Sequence, residues 1–283
     1  ASPKASPACP PCAPGTIWDE QSPAEAQRCA QSVGYVLATE LAACGIDLSF
    51  TPVLDLDWGK CPVIGNRSFH HNPDTVAALA LALQRGLAQG GMKTCGKHFP
   101  GHGCVEGDSH HTLPQDPRSI AELQTDIRPF AALAAEGMAA VMPAHVAYPQ
   151  ADPLPAGYSP YWLKTILRDT LHFDGVIFSD DLTMEGAATA GGIKARARAA
   201  FAAGCDIVLV CNRPDLTYEL LENFQAPANP RLAERWQNTA CTLTPEAALA
   251  AMRQPGFRAA QTLTAALASP ADTAGGVKVG EAF

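Results

Sequence analysis

The residues best suited to chemistry lie close together, between Lys97 and His111. This segment holds one lysine, two carboxylates and four of the protein's eight histidines, and it directly follows an apolar run at residues 91–96. A short apolar run of this kind is typical of a buried strand. Because α/β enzymes carry their functional groups at the carboxyl ends of strands, the pattern predicts that this segment lines an active site.

Within this segment, Asp108 precedes His110 by two residues, so the carboxylate can contact the imidazole and fix its tautomer. An imidazole titrates near neutral pH and can therefore act as a general acid and base. Lys97 follows the apolar run and can donate to a bound oxygen, and His98 can do the same. A structural hydrogen bond is the alternative for each of these side chains, and it is the favoured role for His102 in its Pro-Gly-His-Gly turn.

A second candidate position is the pair Asp180 and Asp181, which ends the apolar run at residues 175–179. Because neighbouring side chains on a strand point in opposite directions, at least one of the two points into a cleft at the strand end. A carboxylate in that place serves as a nucleophile, as a metal ligand or as a partner for Arg or Lys. His145 also ends an apolar run, with a structural role favoured over a place in the cleft. The expected surface residues include His70, His71 and His172.

Helical patterns and short apolar runs alternate along the chain. The predicted helices cover residues 23–44, 73–90, 119–134, 160–172 and 191–203, and the predicted strands cover residues 46–54, 92–97, 139–145, 175–180 and 206–212. Because each strand is almost continuously apolar and ends in polar residues, the pattern predicts a parallel sheet covered by helices. No G-x-G-x-x-G or G-x-x-x-x-G-K-[ST] motif occurs, which favours a (β/α) barrel over a nucleotide-binding doubly wound sheet. Two or three further helices are expected beyond Asn212.

The two ends of the chain differ from this pattern. The first fourteen residues contain five prolines, which predicts irregular structure. Cys9 and Cys12 have the spacing of a redox motif, but more proline follows where a helix should begin, so a redox role is not favoured. The ten cysteines are dispersed, which favours reduced thiols over a disulfide framework. An Ala/Gly/Ser-rich segment at residues 269–283 is predicted to be a mobile tail, which leaves residues 15–268 as the main domain.

Composition limits the classes of protein and partner. A chain of 283 residues with 47% hydrophobic residues can bury the core of one large α/β domain. The formal charge of −8 is spread along the sequence without a Lys/Arg run, so neither nucleic acid nor an anionic membrane is an expected partner. The apolar stretches are too short to span a bilayer, and no secretory leader opens the chain. We expect a monomeric, cytoplasmic protein.

Six motifs together resemble the family 3 glycoside hydrolases, and among them the bacterial β-N-acetylhexosaminidases of cell-wall recycling. They are I-G-N-R-S-F at 64–69, K-H-F-P-G-H-G with D-S-H at 97–110, V-M-P-A-H-V at 141–146, Y-W-L-K-T-I-L-R at 161–168, G-V-I-F-S-D-D-L-T-M-E-G-A at 175–187 and A-G-C-D-I-V-L-V-C-N at 203–212. The resemblance covers about residues 16 to 240, and motifs of this length in this order are very specific. It implies a (β/α)8 barrel of the TIM type, in which the five predicted strands match the fourth to the eighth.

The resemblance also implies an activity and the residues that perform it. It makes the protein a hydrolase that removes terminal β-N-acetylglucosamine from peptidoglycan fragments, GlcNAc-1,6-anhydro-MurNAc and its peptides, by double displacement with net retention. The implied catalytic residues are the nucleophile Asp180, the general acid/base His110 and its partner Asp108. The implied sugar-binding residues are Arg67, Lys97 and His98. No metal or organic cofactor is required, and the implied partner is the sugar or glycopeptide substrate.

The sequence departs from the family in its first part. The D-x-E-G-G-R-V-Q-R motif after the family's third strand is absent, which leaves a catalytically inactive remnant as an alternative. A second alternative is a metal-dependent barrel hydrolase with the ligands His98, His102, Asp108 and His110, and a third is a phosphorylase. One of the many possible back-translations of residues 4–13, read one base earlier, encodes E-G-F-T-R-L-P-A-M-R, a string that resembles the family segment just after that strand. We therefore expect residues 1 to about 14 to be out-of-frame sequence.

Overall fold

The main sheet has four parallel strands that pair in chain order. In this computed structural model, which describes residues 12–107 and 113–267, the strands are β1 (Cys95–Phe99), β2 (Ala140–Pro143), β3 (Ala147–Tyr148), β4 (Asp152–Pro155), β5 (Val176–Asp181) and β6 (Ile207–Leu209). The order in the main sheet is β1-β2-β5-β6, while β3 and β4 form a separate antiparallel pair. The predicted parallel sheet is thus confirmed. A doubly wound sheet reverses its strand order at a switch point, and no reversal occurs among the described strands.

Helices alternate with these strands. They are α1 (Cys12–Glu20), α2 (Pro23–Ala43), α3 (Pro73–Gln89), α4 (Ile120–Ala135), α5 (Ile193–Ala203), α6 (Pro214–Asn223), α7 (Leu232–Gln237), α8 (Pro245–Ala251) and α9 (Pro255–Leu267), with a π-helix at Tyr161–Thr170. Asn72 caps α3 by accepting two backbone N–H groups, and Ser119 forms a capping box with Glu122 at α4. Among the described residues, four helices rather than two or three follow Asn212. None of the helices within the described ranges has the length and apolar character that crossing a membrane requires.

The predicted strand at residues 46–54 is only partly formed, and we call it the edge segment. It runs parallel to β1, with isolated bridges at Leu48 and Val53. Pro52 has no N–H to donate, and the N–H of Thr51 bonds back within the same segment. A continuous ladder of hydrogen bonds therefore cannot form along it.

Two further expectations concern the chain ends. Residues 12–14 belong to α1, so the irregular structure predicted for residues 1–14 is wrong at these three positions. Pro14 is tolerated in α1 because it lies in the first turn, where its missing N–H breaks no helical hydrogen bond. Residues 1–11 and the tail predicted at residues 269–283 lie outside the described residues.

The main sheet is curved, with one apolar face on its inner side. Side chains from all four strands and from the edge segment cluster on this face, among them Leu48, Phe50, Cys95, Met142, Phe178 and Leu209. The rings of Phe50 and Phe178 lie 5.2 Å apart, although three strand spacings separate the edge segment from β5. In a flat sheet those spacings would add up to about 14 Å. A larger apolar cluster includes the buried faces of helices such as α2, α3 and α4.

Candidate active site

Polar side chains from several strands meet at one edge of the sheet. Lys97 lies in β1, Asp180 lies in β5, and His145 follows β2, which pairs with both strands. Each residue stands near the carboxyl end of its strand. Asp180 interacts electrostatically with the Lys97 ammonium and with the His145 ring, so these groups share one site.

Asp180 is ionised at neutral pH. Burial acts to raise the pKa of its carboxyl group, but the imidazoles nearby, the N–H of Asp181 and the Lys97 ammonium outweigh this effect and hold the pKa below its ordinary value. The N–H of Asp181 donates to Oδ1 of Asp180 at 2.8 Å. Within residues 12–107 and 113–267 this carboxylate accepts no other hydrogen bond.

Asp181 has a structural role. Its Oδ1 accepts the N–H groups of Thr183 at 2.9 Å and Cys211 at 3.0 Å, and its Oδ2 accepts the Thr183 hydroxyl at 2.7 Å. These bonds close the turn after β5 and tie it to the chain just beyond β6. The side chains of Asp180 and Asp181 therefore point in opposite directions, as neighbouring side chains on a strand do. Asp180 lies among the polar groups of the site, and Asp181 holds the turn after β5.

Lys97 and Arg67 give the site its positive charge. Burial of the Lys97 ammonium, and then repulsion from Arg67, lower the pKa of Lys97, while attraction to Asp180 opposes the shift. Arg67 ends a 3-10 turn, and its guanidinium donates to the carbonyl of Val63 at 3.2 Å. The structure thus brings Arg67, Lys97 and Asp180 to one place.

Asp55 is a further, buried member of this site. It directly follows the edge segment, and its carboxylate accepts Nδ1–H of His98 at 2.7 Å and the backbone N–H of His102 at 2.7 Å. Burial acts to raise the pKa of Asp55, but the interactions with His98 and His102 more than offset burial and lower it. His98, also buried, is therefore fixed through one ring nitrogen.

His102 and His145 are both buried and make structural contacts. Nδ1 of His102 lies 3.4 Å from the sulfur of Cys61, and Nε2 of His145 lies 3.1 Å from the carbonyl oxygen of Asp181. Burial lowers the pKa of both imidazoles, so both are neutral at physiological pH.

The three histidines predicted at the surface divide into two groups. His71 and His172 are exposed. His70 is not, because its ring stacks on His71 and its Nε2 lies 3.0 Å from Oδ2 of Asp19 in α1, which leaves 9% of the side chain exposed. The expectation for His70 is thus wrong.

Asp108 and His110, the implied acid/base pair, lie outside the described residues. Just after this gap, Arg118 forms ion pairs with Asp116 at 2.6 Å and with Asp126 at 2.7 Å, which anchors the chain to α4. The gap also contains two of the four candidate metal ligands, and the described residues show no cluster that could hold a metal ion.

Comparison with known proteins identifies the family. The sequence profile described as "Glycosyl hydrolase family 3 N terminal domain" matches residues 16–232. This chain belongs to glycosyl hydrolase family 3. It is 68% identical over 270 residues to a β-hexosaminidase of Neisseria meningitidis serogroup B, in a match that covers 95% of this chain and 75% of that protein. A β-hexosaminidase of Chromobacterium violaceum is 56% identical over 269 residues, with the same coverage of 95% and 75%.

Solved structures of family 3 proteins agree with this assignment. NagZ from Neisseria gonorrhoeae in complex with N-trifluoroacetyl-D-glucosamine has a TM-score of 0.88 and 61% identity, over 95% of this chain and 78% of that chain. A family 3 β-N-acetylglucosaminidase from Paenibacillus sp. has a TM-score of 0.73 and 31% identity, over 92% of this chain and 48% of that chain. The family resemblance in the sequence is confirmed, and the chain is a glycoside hydrolase of the β-hexosaminidase type.

In this family 3 enzyme, Asp55 is the site residue that sequence reasoning missed. The signal was present, since Asp55 follows the apolar run at residues 46–54 just as Asp180 follows the run at residues 175–179. What the sequence could not show is the partner, because His98 lies on a different strand.

Proposed function

We propose that this enzyme removes terminal β-linked N-acetylglucosamine from peptidoglycan fragments, GlcNAc-1,6-anhydro-MurNAc and its peptides, during cell-wall recycling in the cytoplasm. One observation carries the proposal: Asp180 is an ionised carboxylate at the carboxyl end of β5, free of the structural bonds that occupy Asp181. The N-trifluoroacetyl-D-glucosamine bound to the gonococcal NagZ supports an N-acylated glucosamine as the sugar.

The proposed reaction is a double displacement with net retention of configuration. Asp180 attacks the anomeric carbon while His110 gives its proton to the leaving oxygen, so the glycosidic bond breaks and a glycosyl ester of Asp180 forms. His110, now neutral, then takes a proton from water, and the water oxygen attacks the anomeric carbon and releases Asp180. Asp108 orients His110 in both steps. Retaining glycosidases commonly use a carboxylic acid where this proposal has an Asp–His pair.

Arg67, Lys97 and His98 are proposed to hold the sugar. Hydroxyl and N-acetyl oxygens accept hydrogen bonds, and the guanidinium and ammonium groups are strong donors to such oxygens. Both His98 and Lys97 act to lower the pKa of Asp180, which supports a position for both side chains near one bound sugar. The attraction between Lys97 and Asp180 supports a sugar site beside the proposed nucleophile.

For the fold, we propose a (β/α)8 barrel of which this chain carries the strands from the fourth to the eighth, with residues 15–268 as one glycosidase domain. The pairing of strands in chain order and the curvature of the sheet support it, because a barrel is a sheet that closes on itself. Among the described residues, β6 and the edge segment each have a strand partner on one side only. That observation favours a second candidate function, sugar binding without turnover by an incomplete barrel.

Hydrolysis of 4-nitrophenyl N-acetyl-β-D-glucosaminide by the purified chain tests the proposal. The unaltered chain should release nitrophenol and Asp180→Asn should not. Asp57→Asn is the matched control, because among the described residues this exposed carboxylate accepts only the nearby N–H of Gly59, and it should behave as the unaltered chain does. Release of N-acetylglucosamine from GlcNAc-1,6-anhydro-MurNAc, first as the β-anomer, tests the substrate and the stereochemistry. Binding of N-acetylglucosamine without any release would reject hydrolysis in favour of the second candidate.

A further inference from the structure

The carboxylate of Asp55 joins two chain segments below the proposed sugar site. It is completely buried. It accepts hydrogen bonds from three donors, two of which belong to His98 in β1 and one to His102 in the loop after β1. Nδ1 of His98 lies 2.7 Å from Oδ2, the backbone N–H of His98 reaches the same oxygen at 3.2 Å, and the backbone N–H of His102 reaches Oδ1 at 2.7 Å.

The ionised state of Asp55 decides which nitrogen of His98 carries hydrogen. The interactions with the two histidines lower the pKa of Asp55 despite its burial, so the group is a carboxylate at neutral pH. An ionised carboxylate can only accept hydrogen bonds, and the 2.7 Å contact therefore requires a hydrogen on Nδ1 of His98. In the neutral imidazole, Nε2 is then a lone-pair acceptor, and within residues 12–107 and 113–267 no hydrogen bond occupies it.

This arrangement gives the strand end complementary hydrogen-bonding groups. The ammonium of Lys97 can only donate, whereas Nε2 of His98 can accept. A sugar hydroxyl is both donor and acceptor, so one hydroxyl can accept from Lys97 while its own hydrogen, or that of its neighbour, is donated to His98. Without an acceptor at this place, a bound hydroxyl would bury an unpaired hydrogen at a cost in affinity.

We propose that Asp55 is a positioning residue, which holds His98 in the Nδ1–H tautomer and so supplies the sugar site with its hydrogen-bond acceptor. The inference rests on the proposed function, in which His98 binds the sugar. The alternative is a purely structural role, in which Asp55 only ties the edge segment to β1. In that case sugar binding would not depend on whether Nε2 of His98 carries a hydrogen.

The test uses the full chain and N-acetylglucosamine as the probe. In Asp55→Asn, an amide replaces the carboxylate at nearly the same size. If its oxygen keeps the backbone N–H of His102, its NH2 group faces the His98 ring and forces the Nε2–H tautomer. Nitrogen NMR of the His98 ring should show this exchange of tautomers, and the Kd for N-acetylglucosamine should rise about tenfold, as expected for one lost hydrogen bond. Asp57→Asn is the matched control and should change neither quantity.

A double-mutant cycle separates the two roles of Asp55. His98→Ala alone should weaken binding of N-acetylglucosamine, and adding Asp55→Asn to it should weaken binding no further, because Asp55 acts through His98. Additive losses would overturn the inference, as would normal binding by Asp55→Asn beside weakened binding by His98→Ala. If His98→Ala binds as the unaltered chain does, both the proposed role of His98 and this inference fail.

The tautomer can also be measured without any substitution. In the unaltered chain the His98 ring should give the Nδ1–H pattern, which tests the premise even if Asp55→Asn does not fold. An Nε2–H pattern, or the pattern of a doubly protonated ring, in the unaltered chain would overturn the inference.

Discussion

Substituting Asp180 and Asp181 one at a time should separate chemistry from stability. Asp180→Asn is expected to abolish turnover and to lower the free energy of unfolding only slightly, because among the described residues the side chain accepts only the next N–H, although the folded state favours its ionised form. Asp181→Ala is expected to lower the free energy of unfolding much more and to retain turnover. It removes the acceptor of three hydrogen bonds at the end of β5, while the nucleophile stays in place.

The size of the stability loss follows from those three bonds. A hydrogen bond to a charged group contributes about 1.5–3 kcal/mol, and water can reach part of this turn, so the loss for Asp181→Ala should be about 3 kcal/mol. Asp181→Asn keeps an oxygen for the N–H groups of Thr183 and Cys211, and its amide N–H can donate to the Thr183 hydroxyl. Only the charge assistance is lost, which costs about 1 kcal/mol.

Two assays decide the outcome. Urea unfolding followed by circular dichroism gives the free energies of unfolding, and nitrophenol release from the aryl glycoside gives turnover. The reasoning is refuted if Asp180→Asn destabilises the chain as much as Asp181→Ala does. It is also refuted if Asp181→Asn stays folded and loses all turnover, because Asp181 would then be the reacting carboxylate.

Three other predictions follow from the same site and its surroundings. His110→Ala should slow hydrolysis of substrates with poor leaving groups far more than hydrolysis of activated aryl glycosides, and Asp108→Asn should follow the same trend more mildly; equal slowing of both substrates in steady-state kinetics would argue against an acid/base role. Because the pKa of Asp55 is lowered in the folded protein, its ionised form stabilises the fold above the ordinary Asp pKa of about 4, and this stabilisation is lost as the pH falls through the folded-state pKa. In urea unfolding, Asp55→Asn should therefore weaken the dependence of the free energy of unfolding on pH in this acidic range. Arg118→Met should cost about 3–5 kcal/mol by leaving two buried carboxylates unpaired, and adding Asp126→Asn should restore part of the loss in urea unfolding.

The sequence was most informative where the pattern is local. An unbroken apolar run followed by a polar residue places Lys97 and Asp180 at strand ends, and the proline after Asn72 predicts the start of α3. The contact between Asp55 and His98 could not be predicted, since it depends on how the edge segment lies against β1.

Two further differences between prediction and structure concern His70 and the helix predicted at residues 160–172. The first depends on a contact between residues far apart in sequence, and the second on a helix geometry that apolar spacing does not reveal. The sequence predicts His70 at the surface because nothing near it in the chain shows that Asp19 of α1 contacts its ring. The predicted helix at residues 160–172 exists, but it winds as a π-helix, with the N–H of Leu171 bonded to the carbonyl of Ile166 five residues earlier. Apolar spacing over ten residues does not distinguish this winding from an α-helix.

The contact between Phe50 and Phe178 also bears on how the protein folds as it is synthesised. Residues 46–54 leave the ribosome long before β5, so Phe50 is exposed to water until most of the sheet has been translated. Closing so long a stretch of chain costs entropy before the aromatic contact repays it, which makes formation of the curved sheet a late and slow event. The site at the strand ends can form only after that step. A partly synthesised chain therefore presents apolar strand surface to its neighbours, and its yield in the cell should depend on chaperones more than its final stability would indicate.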